Sequence, residues 1–162
     1  MNVWCGIHRN RIIGPYFIEG ALNGPKYRNF LNQELPQLLE DVSLAERLNM
    51  WYQHDGCPSH YTAAAREILD TDYPDRGKER RGPVNWPARS PDLTSLDFFL
   101  WVFIKDKVYQ EIPTTPENMR HQIINACASI DEDTLIKVQH SFEKRFRKYI
   151  EVNGYYFEHL LK

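Results

Sequence analysis

Two aspartates stand where a carboxylate could do chemistry. Asp55 follows the run Met50-Trp-Tyr-Gln-His54 and precedes Gly56, so it falls at the C-terminal end of a predicted strand. Ligands of open α/β sheets bind at such ends, although an Asp-Gly pair is also an ordinary turn. Asp97 opens the most apolar stretch of the chain, residues 96–108. A bare carboxylate there is costly unless it is exposed, paired or bound to a metal. A helix N-terminus favours an acid, but Asp92 and Thr94 already offer capping groups just upstream. A strand-end carboxylate and a helix-start carboxylate can together hold hard divalent cations. Magnesium takes oxygen ligands, keeps waters and bridges to phosphate, and a pair of such ions serves phosphodiester chemistry.

A second constellation competes with the first. Cys5-Gly-Ile-His8 and Cys57-Pro-Ser-His60 both read C-x-x-H. Four such ligands can hold zinc, but each pair adjoins predicted strand and lacks the usual paired-knuckle context. With Cys127 the cysteines number three at wide spacing. That pattern predicts free thiols in a reducing compartment rather than a disulfide framework.

The formal net charge is −2, so any nucleic-acid surface must be local. Residues 76–89 carry Arg76, Lys78, Arg80, Arg81 and Arg89 against Glu79 alone, and residues 137–148 carry Lys137, Lys144, Arg145, Arg147 and Lys148 against Glu143. Each stretch reads equally as a solvated loop or helix face.

The elements that must position these residues are read from periodicity and punctuation. Residues 3–7 and 12–19 predict two strands around an Arg9-Asn10 turn, the second interrupted by Gly14-Pro15, and pair as a hairpin. Asn23-Gly24-Pro25 opens a helix with Tyr27, Phe30, Leu31, Leu35, Leu38 and Leu39 on one face, which Pro36 should kink or split. Residues 49–54 predict the strand that ends at Asp55, Pro58 and Ser59 start a helix running through Leu69, residues 70–83 predict a loop, and Val84-Asn85-Trp86 a short strand. Residues 96–108 are apolar nearly all round and predict a buried helix. Thr115-Pro116-Glu117 starts another. Asp131 starts the last, with Leu135, Val138, Phe142, Phe146 and Tyr149 on one face and Asn153-Gly154 at its end. This order is mixed α/β, with a helical part from about residue 114. The helix between hairpin and third strand predicts a crossover to a parallel neighbour.

Length and composition fit a single globular domain: 162 residues, 42% hydrophobic and 26% charged. Aromatics reach 13%, enough to serve both core and base-stacking surfaces. No run of 18 apolar residues exists to span a membrane, and Met-Asn-Val-Trp-Cys-Gly-Ile is not a secretory signal.

The stretch Trp86-Pro-Ala-Arg-Ser-Pro-Asp-Leu-Thr-Ser-Leu-Asp-Phe-Phe-Leu-Trp101 resembles the signature around the third acid of mariner-type transposases of the DDE/DDD superfamily, and Gln53-His-Asp-Gly-Cys-Pro-Ser-His60 resembles that around the second. Ile13-Gly-Pro-Tyr-Phe-Ile-Glu-Gly20 and Tyr27-Arg-Asn-Phe-Leu31 resemble the hairpin and helix between the first acid and the second, and residues 118–129 and 150–161 the family's C-terminal part. The likeness covers nearly the whole chain. It implies an RNase H-like mixed sheet with flanking helices. It also implies cleavage of DNA at element ends with strand transfer into a target, using two magnesium or manganese ions held by three acids. By position Asp55 matches the second catalytic, metal-binding acid and Asp97 the third, 42 positions on.

Two departures bear on activity. The family's first acid lies on a strand upstream of the hairpin. No Asp precedes Asp41 here and Glu19 is on the wrong element, so the expectation is an N-terminally truncated fold with its first strand missing, with weak metal binding and no activity alone. The region that recognises element ends also has no counterpart here. Smaller departures are Ser95, where relatives often have Pro, and Cys57, where they often have Ala. The expected partner is DNA, contacted non-specifically through Lys78, Arg80, Arg81, Arg89 and His60. A homodimer is allowed, and no membrane or small-molecule substrate is expected. Location is expected in the nucleus, otherwise the cytoplasm, and not outside the cell. The alternatives are a domesticated, non-catalytic module that binds DNA or protein, and a zinc-binding structural domain on the two C-x-x-H pairs.

Overall fold

A computed structural model describes residues 1–54, 57–79, 84–85 and 91–161. The chain forms two compact units, one of residues 1–3 and 17–89, the other of residues 4–16 and 90–162. Both draw on the N-terminal hairpin, β1 (Asn2–His8) and β2 (Arg11–Ile18), which form a two-stranded sheet. Arg9 makes the turn with φ of 52°. Cys5, Ile13 and Ile18 are buried. The expected break at Gly14-Pro15 does not occur, and β2 runs through both residues. Gly14 has φ of 92°, and a Cβ there would stand 3.1 Å from the Trp4 carbonyl oxygen. Only glycine meets both conditions without strain.

In the first unit, α1 (Gly24–Asn29) starts where the Asn23 side chain accepts a hydrogen bond from the Lys26 amide at 3.0 Å. It continues through a wide π-helical turn, Phe30–Glu34, into α2 (Leu35–Leu38), where Pro36 occupies the first turn. The split expected at Pro36 is therefore taken up by changing the helical pitch ahead of a residue that has no amide hydrogen. Tyr27, Phe30, Leu31 and Leu35 are buried. Helix α3 (Leu44–Asn49) begins on a reciprocal capping box between Ser43 and Glu46.

The sheet of this unit is β3 (Tyr52–Gln53), β4 (Gly77–Glu79) and β5 (Val84–Asn85), all parallel. Helix α4 (Ala63–Asp72) links β3 to β4 and packs on α1. A parallel crossover is thus present, but its helix is α4. Three expectations need correction. The third strand is two residues long, because α3 extends to Asn49 and leaves Trp51 48% exposed. Residues 70–83 are not a plain loop: α4 runs to Asp72 and β4 follows, a strand whose polar sequence Gly-Lys-Glu gives no apolar signal. Among the described residues the hairpin and β3 lie in separate sheets, not in one.

In the second unit a π-helical turn, Leu96–Leu100, leads into α5 (Trp101–Val108). Leu100, Ile104 and Val108, spaced by four, are buried, whereas Val102 is 61% exposed. The segment is one-sided and not buried all round as its composition suggests. It packs on α6 (Pro116–Ala128), capped by the Thr115 hydroxyl, which accepts from the Asn118 amide at 3.0 Å. The last helix, α7 (Glu132–Glu151), is capped by Asp131. It ends at Asn153 and Gly154, both at positive φ.

Candidate metal and nucleic-acid site

β3 is two residues long. Its ladder consists of Tyr52 opposite Gly77 and Gln53 opposite Lys78, and His54 comes next. The His54 imidazole is only 4% exposed. Its Nε2 shares a hydrogen bond with the hydroxyl of Tyr27, itself fully buried on α1. Tyr27 Oη also lies 3.2 Å from Tyr52 Oη. His60, from the single helical turn Pro58–Tyr61, stacks on His54 with ring centres 4.7 Å apart and planes 18° from parallel, and lies 4.3 Å from the Tyr27 ring. Tyr52 closes the cluster edge-on to His54 at 4.9 Å and meets Tyr73 at 5.2 Å. Burial, reinforced by the charge of Asp72, pushes the Tyr73 phenol up to about 12. The turn that carries His60 is tied to the chain before α1, since Ser59 Oγ donates to the Leu22 carbonyl at 3.4 Å.

Arg76, the first cation of the basic stretch, is engaged inside the fold. Its guanidinium donates to the carbonyls of Arg47, Leu48 and Met50, where α3 ends, and to that of Asp72 at the end of α4. Helix C-termini leave carbonyls unpaired and carry partial negative charge, so a cation is well placed there. Lys78 lies on β4. Arg80, Arg81 and Arg89 fall outside the described residues, and so does Asp55; the expected approach of Asp55 to Asp97 therefore lies there too.

In the second unit Asp97 is half-buried in the first turn of the segment that leads to α5. Its amide donates to the Thr94 carbonyl at 2.9 Å. The fully buried Leu93 and Leu100 bracket this turn. Arg145 of the second basic stretch lies 4.4 Å over the Phe98 ring and pairs with Glu158 at 3.2 Å, so it is a packing cation and not part of an open charged face.

The zinc reading finds no support. Among the described residues no three His, Cys, Asp or Glu side chains converge on a point that could hold a metal. Cys5 is hydrogen-bonded to Cys127, which together with burial pushes its thiol well above the usual range, and His60 is stacked on His54. Aspartates 55 and 97 are hard oxygen donors, and that donor chemistry suits magnesium or manganese.

The sequence alone did not bring Tyr27 and His54 together. Tyr27 falls on the apolar stripe of its helix and so looks like core. The signal available was the pair of histidines flanking Asp55 at positions 54 and 60.

No protein-family model matches the chain. It is homologous to the Tc3 transposase of Caenorhabditis elegans, 26% identical over 154 residues. That alignment takes in 94% of the chain and 44% of the relative, so the chain spans less than half of that protein's length. Its structure matches the Mos1 transposase catalytic domain, solved with manganese and raltegravir, at a TM-score of 0.75 and 22% identity over 96% of this chain and 76% of that one. It matches a pre-cleavage Mos1 transpososome at 0.78 and 19% identity, over 93% of this chain and 43% of that one. The fold is accordingly that of the Mos1 mariner transposase catalytic domain, RNase H-like mixed α/β.

Proposed function

We propose that these 162 residues form part of a transposase catalytic domain that binds DNA, and that Asp55 and Asp97 are its metal-binding acids. The observation that carries this reading is homology to a transposase along 94% of the chain, with both acid-bearing motifs in the order that the mariner resemblance requires. A Mos1 structure is a paired-end complex with the left transposon end. This supports DNA ends as the ligand class and a paired assembly as the working form. Mos1 catalytic-domain structures with magnesium and with manganese support a divalent cation. Such a cation, when bound, lowers the pKa of a coordinated water and stabilises charge on phosphate oxygens. The protein's part is to hold two carboxylates in place, to contact phosphates through Arg80, Arg81 and Arg89, and to do so where chromosomal DNA is, in the nucleus.

By themselves these residues supply two of the three acids that the resemblance implies. They should bind a divalent cation weakly and cut DNA at no meaningful rate, because positional errors near 1 Å already cost on the order of a hundredfold. The test is nicking of supercoiled DNA with magnesium or manganese, comparing the chain with Asp55→Ala and Asp97→Ala. No cleavage by any of the three is expected. Cleavage that needs both aspartates would show that another group replaces the first acid. Cleavage that needs neither would remove both from the site.

A further inference from the structure

We propose that the outward face of α7 is a second contact surface for duplex DNA, on which Lys137, Lys144 and Arg147 meet phosphates across one groove. The proposal rests on the reading of this chain as DNA-binding and adds a surface to the basic stretch at residues 76–89.

The amphipathic pattern of α7 sorts its cations. Leu135 and Val138 are buried, and Phe142 and Tyr149 are half-buried, which sets the inward side. Arg145 belongs to that side and is held over the Phe98 ring. Lys137, His140, Lys144 and Arg147 follow one another at intervals of three, four and three, so they share the opposite side. All four are exposed. From residue 137 to residue 147 the stripe runs about 15 Å along the helix axis. Acids gather at the two ends of the helix: Glu132 and Asp133 in its first turn, and Glu151, paired with Lys148, at its last. Glu143 borders the stripe one turn before Arg147 and offsets part of that charge.

Helix stability does not account for this arrangement. The macrodipole favours cations in the last turn and its effect fades beyond it. That explains Lys148 but not Lys137, which is in the second turn. An ordinary solvated face intersperses both signs, whereas here the cations hold the middle. A protein partner would want an aromatic or apolar anchor at the centre of the patch, and the centre is His140 and Lys144. A helix lying on a membrane needs a broad free apolar face, and the apolar side of α7 is its buried side. Regularly spaced cations on a rigid rod suit a regularly charged polyanion. Lys137 and Lys144 stand about 10 Å apart along the axis, with Arg147 about 5 Å further. That spacing reaches the phosphates on both edges of a major groove about 12 Å wide. Such contacts fix position on a duplex and read no sequence.

The test is fluorescence anisotropy of the whole chain on a labelled duplex, from about 50 to 200 mM salt. The main variant combines Lys137→Ala, Lys144→Ala and Arg147→Ala. Alanine favours helix at exposed positions, and circular dichroism checks the fold. Lys144→Ala alone serves as the milder form. The control combines Lys105→Ala and Lys107→Ala, two exposed cations on α5 of the same unit. The triple variant should flatten the slope of log binding constant against log salt by roughly 2–3 units, and Lys144→Ala by about 1. The control should leave the slope as it is. An unchanged slope in the triple variant, while Arg80→Ala with Arg81→Ala still flattens it, would overturn the proposal and leave DNA binding in place. An equal fall per charge removed in the control would reduce the effect to net charge and overturn it as well. Loss of poly-glutamate binding in the triple variant, with the duplex slope intact, would assign the face to an acidic protein instead. No binding of duplex by the wild type at the lowest salt would remove the DNA-binding reading and this surface together.

Discussion

The guanidinium of Arg145 on α7 lies 4.4 Å above the ring of Phe98, the residue that follows Asp97. The same side chain donates to the Asp92 carbonyl at 3.2 Å and pairs with Glu158. One cation thus ties the turn before Asp97, the residue after it and the C-terminal tail to a single helix. The ion pair contributes little, since Glu158 is 39% exposed and screened by solvent. The ring contact and the hydrogen bond to a carbonyl contribute more. Arg145→Met keeps most of the volume and should cost about 1–3 kcal/mol, read as a lower urea midpoint at unchanged slope. Glu158→Gln should cost less than about 1 kcal/mol. A larger loss for Glu158→Gln than for Arg145→Met would show the ion pair, and not the ring contact, to be the tie.

Legibility of this fold followed how local each cause was. Asn23, Ser43, Thr115 and Asp131 cap helices through their own side chains within three residues, and the starts of α1, α6 and α7 were readable for that reason. The hairpin was readable from its turn and alternation. β4 was not, because Gly77-Lys78-Glu79 gains strand structure from pairing on both sides and has no pattern of its own. The segment from Leu96 to Val108 misled in the other direction: its composition is apolar on all faces, but the fold covers only the Leu100, Ile104 and Val108 stripe. Asp55 and Asp97 are proposed from spacing and resemblance, whereas the contact of Tyr27 with His54 was hidden, since contact with a residue 27 positions away leaves no periodic mark.

Cys5 and Cys127 are 2% and 5% exposed, while Cys57 is half-buried. The hydrogen bond with Cys127 and burial keep Cys5 protonated, and the thiolate is the reactive form; the same hydrogen bond lowers the Cys127 thiol, so that residue is shielded by its burial alone. Brief iodoacetamide treatment of the native chain should therefore label Cys57 first. Cys5 and Cys127 should label only once denaturant unfolds the chain, as read by peptide mass spectrometry. Labelling of Cys5 at the rate of Cys57 under native conditions would contradict the buried pairing.

Asp131 caps α7, its carboxylate accepting from the Thr134 amide at 2.7 Å. The Thr134 hydrogen bonds hold its pKa below the usual 3.8. A carboxyl whose folded pKa is depressed adds stability above its unfolded pKa and loses it as pH falls through the folded value. The wild type should thus melt above Asp131→Ala at pH 6, with the gap closing below about pH 4. Asp131→Asn, which can still cap, should show a smaller gap with little pH dependence. A gap unchanged from pH 6 to pH 3 would mean that the charge plays no part in the cap.

DNA binding through the basic stretch has an electrostatic signature of its own. Each phosphate neutralised releases condensed counterion, so the logarithm of the binding constant falls with the logarithm of salt by about 0.9 per contact on a duplex. Arg76 is committed to the ends of α3 and α4 and should not contribute. That leaves Arg80, Arg81, Arg89 and Lys78 as candidates. Fluorescence anisotropy on a short labelled duplex from 50 to 250 mM salt should give a linear plot. Arg80→Ala with Arg81→Ala should flatten its slope by roughly 1–2 units and weaken binding alike for unrelated sequences, since phosphate contacts carry no base information. Arg145→Met, which removes a cation already held by Phe98, Asp92 and Glu158, should leave the slope as it was. A slope insensitive to Arg80 and Arg81 would make that stretch ordinary solvated surface. A slope lowered by Arg145→Met would place the DNA on the α7 side of the second unit instead.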